Sequence, residues 1–254
     1  MIRLNPQKIQ KSKKQKKVKA KLTNDLKAHF LSALKANPDF SEAHLQLAQL
    51  YQEEGDNKNT DHHFKSAIAS DSQQALDLEN RGEELLKKFQ FQNAKDQFMK
   101  AQEKKNHCAE VYYQQSIFFK NQNKTEAVQT SLENSIKMNP SKSSFHRELG
   151  ILLSQQNHLE HARFQLEKAL DLNYADSQLH FNLGKIMSQM NDYEDAEQHF
   201  LSALDISPEF VDCMVEIADL KLKVNQEKEA KEYYLRAKEI IPELKHSALE
   251  KIMD

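Results

Sequence analysis

The chain has 254 residues, 39% of them hydrophobic and 29% charged, and a formal net charge of −2. Its 4 glycines and 5 prolines fall far short of the roughly thirty that average usage would supply, which argues against an all-β sandwich or barrel with its many tight turns. Gly55, Gly82, Gly150 and Gly184 are too widely spaced for a glycine-rich phosphate loop or a G-x-S-x-G nucleophile elbow, so a mostly helical protein remains.

Residues 1–22 read as a basic, disordered tail. Residues 1–24 carry Arg3 and eight lysines without an acid, and the rest of the chain holds 27 basic and 38 acidic residues. A basic tail thus precedes an acidic body. Its densest run is Lys11, Lys13, Lys14, Lys16 and Lys17. Such a run is solvated by default; its functional readings are contact with nucleic-acid phosphates, contact with an anionic membrane, or nuclear import in a eukaryote. No aromatic residue precedes Phe30, so any nucleic-acid contact by the tail is sequence-blind. No apolar run approaches the ~18 residues of a membrane span, and no apolar segment opens the chain as a secretory signal would. Two cysteines, Cys108 and Cys213, give no disulfide framework. A cytoplasmic location is the expectation, or a nuclear one if the source is eukaryotic.

From residue 23 onward a period governs the chain. Pro38, Pro140, Pro208 and Pro242 are separated by multiples of 34 residues, as are Gly82, Gly150 and Gly184. Residues 23–40, with Leu26, Phe30, Ala33 and Pro38 in phase, read as the second half of a repeat and an N-terminal cap. Six contiguous units follow: 41–74, 75–108, 109–142, 143–176, 177–210 and 211–244. Their eighth position reads Ala48, Gly82, Ser116, Gly150, Gly184, Ala218. Their twentieth reads Thr60, Ala94, Val128, Ala162, Ala196, Ala230. Their twenty-fourth reads Phe64, Phe98, Leu132, Leu166, Phe200, Tyr234, and their twenty-seventh is Ala or Ser throughout. Positions spaced in this way share one helix face. Small residues let two helices approach, and a bulky one fills the space beside them. Pro near position 32 ends the second helix. Each unit is therefore a helix–turn–helix that must stack to bury its face. Residues 245–254 read as a C-terminal capping helix.

These columns resemble the tetratricopeptide repeat, whose 34-residue pattern they follow. Unit 177–210 carries Leu183, Gly184, Ala196, Phe200, Ala203 and Pro208; unit 211–244 carries Ile217, Ala218, Ala230, Tyr234, Ala237 and Pro242. The family's tryptophan column is never Trp here, and Arg81 and Gln115 occupy its usually apolar seventh position, which makes 75–142 the loosest stretch. The resemblance implies an all-α, right-handed superhelical solenoid of antiparallel helix pairs that acts as a protein–protein scaffold or adaptor.

Chemistry is sparse. His44, His146 and His180 fall at position 4, a packing position, and His62–His63 and His158–His161 lack partners for a tetrahedral metal set. No nucleophile is paired with a base. The sequence predicts no catalytic site, no metal and no cofactor, and free, buried thiols at Cys108 and Cys213.

In this family the first helix of each unit lines the concave face. Carried over, those positions give a partner-binding stripe of Tyr113, Gln114, Ile117, Arg147, Ile151, Phe181, Asn182 and Lys185, with apolar anchors among amides. Amides at position 6 resemble the asparagine ladder of O-GlcNAc transferases, which grips peptide backbone, although Glu148 and Glu216 interrupt it. The carboxylate clamp of chaperone-tail receptors is argued against, because Asp212 and Glu216 stand where it needs cations. The expected partner is a protein or peptide, neutral or basic near the C-terminal repeats. Two alternatives are a nucleic-acid- or anionic-membrane-associated factor recruited by the tail, and a substrate-recruiting arm of a transferase system.

Overall fold

The computed structural model describes the backbone of residues 6–251 and the side chains of residues 18–251 apart from residue 20. Among the described residues all regular structure is helical. The chain divides into two compact units, Met1–Asn139 and Pro140–Asp254.

The C-terminal unit is a regular stack of helix pairs. It comprises α6 (Ser143–Gln155) with α7 (Leu159–Leu172), α8 (Ser177–Gln189) with α9 (Tyr193–Ile206), and α10 (Val211–Lys223) with α11 (Glu227–Ile240). Their registers repeat every 34 residues. The residue after each second helix is extended: Asn173 has φ −151°, Ser207 −132° and Ile241 −121°. Pro208 and Pro242 impose that geometry on the residue before them. At Tyr174 there is no proline, and the turn is set instead by Asp176, whose carboxylate accepts from the backbone N–H groups of Gln178 and Leu179 and caps α8. The pairs close on the small columns. A Cβ on Gly184 would meet the Phe200 ring at 2.6 Å, and one on Gly150 would meet Leu166 at 2.7 Å. The short helix α12 (Ser247–Glu250) seats Leu249 on Ala218, Ala230 and Tyr234, and the Tyr234 hydroxyl donates to the Leu244 carbonyl at 3.1 Å.

The N-terminal unit departs from the expected frame. Its helices are α1 (Pro6–Ala36), α2 (Ser41–Glu54), α3 (Asn57–Lys87), α4 (Phe91–Lys120) and α5 (Thr125–Met138). The boundaries expected between 74 and 75 and between 108 and 109 lie inside α3 and α4, which are continuous helices of 31 and 30 residues. Position 32 is Ser72 and Asn106 in these units. Nothing there removes an N–H or fixes φ, so the second helix of one unit runs on into the first helix of the next. Helix α1 likewise begins at Pro6 and passes through residue 22, where a disordered tail was expected to end. Proline suits the first helical position, and lysine is a good helix former. Lys11, Lys13, Lys14, Lys16 and Lys17 lie outside the residues whose side chains are described.

Fusion changes what packs on what. Helix α4 returns antiparallel to α3, so residues 109–120 lie against 57–70. Leu45, Ala48, Phe64, Ala67, Val111 and Phe118 form one buried cluster, with the Phe64 and Phe118 rings 5.9 Å apart. The first and third units thus pack directly on one another. The second is left as an arm of two helices, with Gly82, Ala94 and Ala101 buried between them. The arm's base is held by Asp71, which is fully buried and bonded to His107 Nδ1; His107 Nε2 reaches Glu42 at 2.8 Å, and Lys104 lies 3.7 Å from Asp71. The bond to Asp71 raises the His107 pKa against the cost of burial. Gln115, at an otherwise apolar position, is buried and accepts from the Ser131 hydroxyl at 3.3 Å.

The two kinds of helix exit respond oppositely to proline. Asn106→Pro, exposed but inside α4, should cost about 3 kcal/mol and lower both the melting temperature and the helical circular dichroism. Tyr174→Pro, at the same repeat position in an extended exit, should stay within about 1 kcal/mol of the parent. Equal effects of the two would contradict the fused helices.

Candidate functional site

The expected stripe divides between the two units. Tyr113, Gln114 and Ile117 are half-buried on α4, and the Gln114 amide donates to Glu110 Oε1 at 3.2 Å. In the C-terminal unit, Ile151, Asn182 and Lys185 line one cleft of about 200 Å³. Ser154 and Gln155 of α6 and Gln189 of α8 complete its polar wall; Leu166 and Ile186 form its floor. These three polar residues sit at positions 12 and 13 of their repeats, one helical turn beyond the position-9 residues Ile151 and Lys185.

Two stripe residues are placed differently from expectation. Phe181, expected in solvent, is 8% exposed. Its ring packs 4.8 Å from Phe210 and 6.1 Å from Phe200, because Phe210, in the turn between α9 and α10, covers it. It is a core residue, not an anchor for a partner. Arg147 is engaged by Asp176 at 3.4 Å and Glu148 at 3.7 Å, which ties α6 to the cap of α8 and keeps the guanidinium out of the cleft's lining.

The cleft is close to neutral. Lys185 Nζ lies 3.2 Å from Glu216 and 5.4 Å from the Phe181 ring centroid, so the cation and the acid that interrupts the amide column compensate each other. Farther along, Asp219 faces His246 at 3.2 Å; burial raises the Asp219 pKa while His246 opposes the shift. The acidic end is therefore partly neutralised from within. Asn182 is the exception: its Nδ2 is buried and has no hydrogen-bond partner. A buried amide donor without a partner costs about 1–3 kcal/mol. The wall of the cleft thus holds one unpaired donor beside an apolar floor, with Ser154, Gln155 and Gln189 around it. A site that sequence reasoning missed is Lys221, 4% exposed, with Nζ 2.7 Å from Glu197 and 2.9 Å from Glu229. Burial opposes its charge, yet the two carboxylates outweigh that and raise its pKa.

Known proteins share this architecture. The tetratricopeptide repeat family matches residues 177–210 and again 211–244, the two repeats that supply α8 to α11. No curated protein matches the chain. Among solved structures, the MamA protein is 16% identical at a TM-score of 0.56, covering 81% of this chain and 97% of its own. MamA from Desulfovibrio magneticus RS-1, residue 41 to its end, is 18% identical at 0.51, covering 68% and 98%. Cut9, in its hetero-tetramer with Hcn1, is 15% identical at 0.53, covering 91% of this chain and 46% of its own. At such identities the likeness is one of fold.

The histidines expected at packing positions form a repeated device. His44 Nε2 donates to the Pro38 carbonyl at 3.0 Å, and its Nδ1 lies 2.8 Å from His63 Nδ1. The first bond makes His44 Nδ1 an acceptor, so His63 carries the shared proton. In the C-terminal unit His146 Nε2 bonds the Pro140 carbonyl in the same way, and the side-chain carboxamide of Gln165, 2.8 Å from His146 Nδ1, takes the partner place with its NH2 group as donor. His180 and His199 pair their Nδ1 atoms at 3.2 Å. Burial, then the neighbouring histidines, holds His63 down to about 4, and burial likewise lowers His44, His180 and His199. Among the described residues no group of three His, Cys, Asp or Glu is arranged for a metal, and burial raises both cysteine thiols, Cys213 to about 12. Since these histidine pKa values are lowered by folding, their contribution is complete above pH 6.5 and is lost as pH falls toward 4. The melting temperature should drop over that window. The drop should shrink in His63→Gln, which copies the His146–Gln165 pair, and an undiminished drop would reject the assignment.

Proposed function

We propose, given that the chain is a tetratricopeptide-repeat protein, that its work as a protein–protein interaction scaffold runs through the cleft between α6 and α8. The ligand is an extended peptide, neutral or weakly basic, that sets one apolar side chain on Leu166 and Ile186. The observation that carries this reading is the Asn182 Nδ2, buried in the wall of the cleft without a hydrogen-bond partner. Once the Asn182 side chain turns into the cleft, a backbone carbonyl of a bound chain is the acceptor it lacks. Ser154, Gln155 and Gln189 both donate and accept, so they read backbone rather than sequence. The Lys185–Glu216 pair offers no net charge to steer an acidic tail, in keeping with the expectation that chaperone-type carboxylates are not the ligand. A binding role rather than a catalytic one fits this donor set.

Selection of peptides from a random display library on the full chain tests the reading. Asn182→Ala should weaken the selected peptides about tenfold, and Ile151→Glu should abolish binding, with the melting temperature of both variants near that of the parent. Unchanged affinity in both variants would refute the cleft as the site. Phe181→Ala is unsuitable as a probe, since truncating a buried aromatic costs about 3–5 kcal/mol of stability.

A further inference from the structure

All six turns between the two helices of a repeat share one geometry. Each helix ends with a left-handed residue at position 15, followed by a backbone N–H that bonds five residues back. The left-handed residue is Gly55 at φ 78°, Phe89 at 59°, Asn123 at 56°, Asn157 at 61°, Asn191 at 65° and Asn225 at 60°. The closing bonds, such as Gln90 N–H to the Leu85 carbonyl and His158 N–H to the Leu153 carbonyl, are each 2.9 Å. Five of these positions carry the residue types that tolerate the conformation. Phe89 does not: a bulky aromatic at positive φ is strained. Nothing within the fold repays that strain, because Phe89 is 79% exposed, and its nearest ring, Phe91, is itself 65% exposed and 6.3 Å away edge-on.

Phe89 is the apex of the arm formed by α3 and α4, the repeat displaced from the N-terminal stack. The arm's uncovered helices extend roughly 20 Å at 1.5 Å per residue. Residues 85–95 carry Lys87, Lys88 and Lys95 and no carboxylate, the exposed Glu83, Glu84 and Asp96 standing just behind them along the helices; all three lysines are exposed, with Leu86 also exposed among them. We infer that this apex is a wedge that inserts Phe89 and Phe91 into the interface of an anionic lipid bilayer, with the lysines seated on the headgroups. Three apolar side chains on a convex tip cannot supply the roughly 800 Å² per partner of a stable protein interface. A bilayer accepts a convex wedge without complementary shape, and its anionic surface matches the lysines. The edge-on rings offer no parallel platform for stacking successive bases. The inference is independent of the α6–α8 cleft and of residues 1–17.

The chain contains no tryptophan, so Phe89→Trp in the full protein places a lone fluorophore at the apex. Its emission should shift to the blue on vesicles of phosphatidylcholine containing phosphatidylserine, stay put on phosphatidylcholine alone, and return with added salt. Replacing Lys87, Lys88 and Lys95 by Gln should weaken vesicle binding about a hundredfold. Phe89→Asn installs the residue used at four sister turns; it should raise the melting temperature by about 2–4 °C while removing apex-dependent binding to anionic vesicles. An unshifted emission from the Phe89→Trp protein on anionic vesicles would overturn the inference. So would a shift produced by a single-stranded oligonucleotide instead, or equal vesicle binding by the parent and Phe89→Asn.

Discussion

The architecture depends on one steric constraint, the approach of paired helices to within reach of a missing Cβ. At Gly82, Gly150 and Gly184 an added methyl group would stand 2.6–2.7 Å from Phe98, Leu166 or Phe200. At such range the bulky partner packs against backbone, and Ala or Ser at position 27 leaves it room. Because the constraint recurs every 34 residues, successive pairs present like faces to one another, and each buries what its neighbour cannot bury alone. The Gly82–Phe98 contact persists even in the arm, where no neighbouring repeat covers the pair. The contact therefore belongs to the single repeat and stacking is a separate matter.

Stacking is decided at the helix exits. Where proline or a capping aspartate interrupts the chain, the next helix turns back and the pairs pile up in order. Where Ser72 and Asn106 stand instead, the helix has no reason to end, and the buried Asp71–His107 bond joins the two fused helices at that point. The first and third repeats then bury against each other and the second is displaced. The absence of two prolines thus has a consequence well beyond a turn, because it changes which repeats are neighbours and exposes a surface that a regular array would cover.

Charge follows the same logic of internal compensation. The acidic surplus of the body is partly met by cations on neighbouring helices: Lys185 with Glu216 and Lys221 with Glu197 between adjacent repeats, and Arg147 with Asp176 and Lys221 with Glu229 within one repeat. The Lys185–Glu216 and Lys221–Glu197 pairs help register one repeat on the next, and the cleft between α6 and α8 is left nearly neutral. Specificity there falls to amides, hydroxyls and an apolar floor, groups suited to a peptide backbone.

Periodicity by itself determined the helix pairs, their small and bulky contact columns, and the register of every helix in the C-terminal unit, because 34-residue spacing is a property of the chain and local sterics enforce it. The family's groove positions likewise pointed to Ile151, Asn182 and Lys185. Other features had no one-dimensional signal. Phe181 occupies a groove position yet is covered by Phe210, in the turn that ends the same repeat, a contact that helix-face periodicity cannot reveal because a turn residue lies outside the helical register. Arg147 is taken up by a cap 29 residues away. The continuity of α3 and α4 was readable only in retrospect, since a missing proline permits a helix to continue without requiring it. Only the tertiary structure decided that outcome: burying Phe64 against Phe118, and Asp71 against His107, joins residues that lie in different repeats.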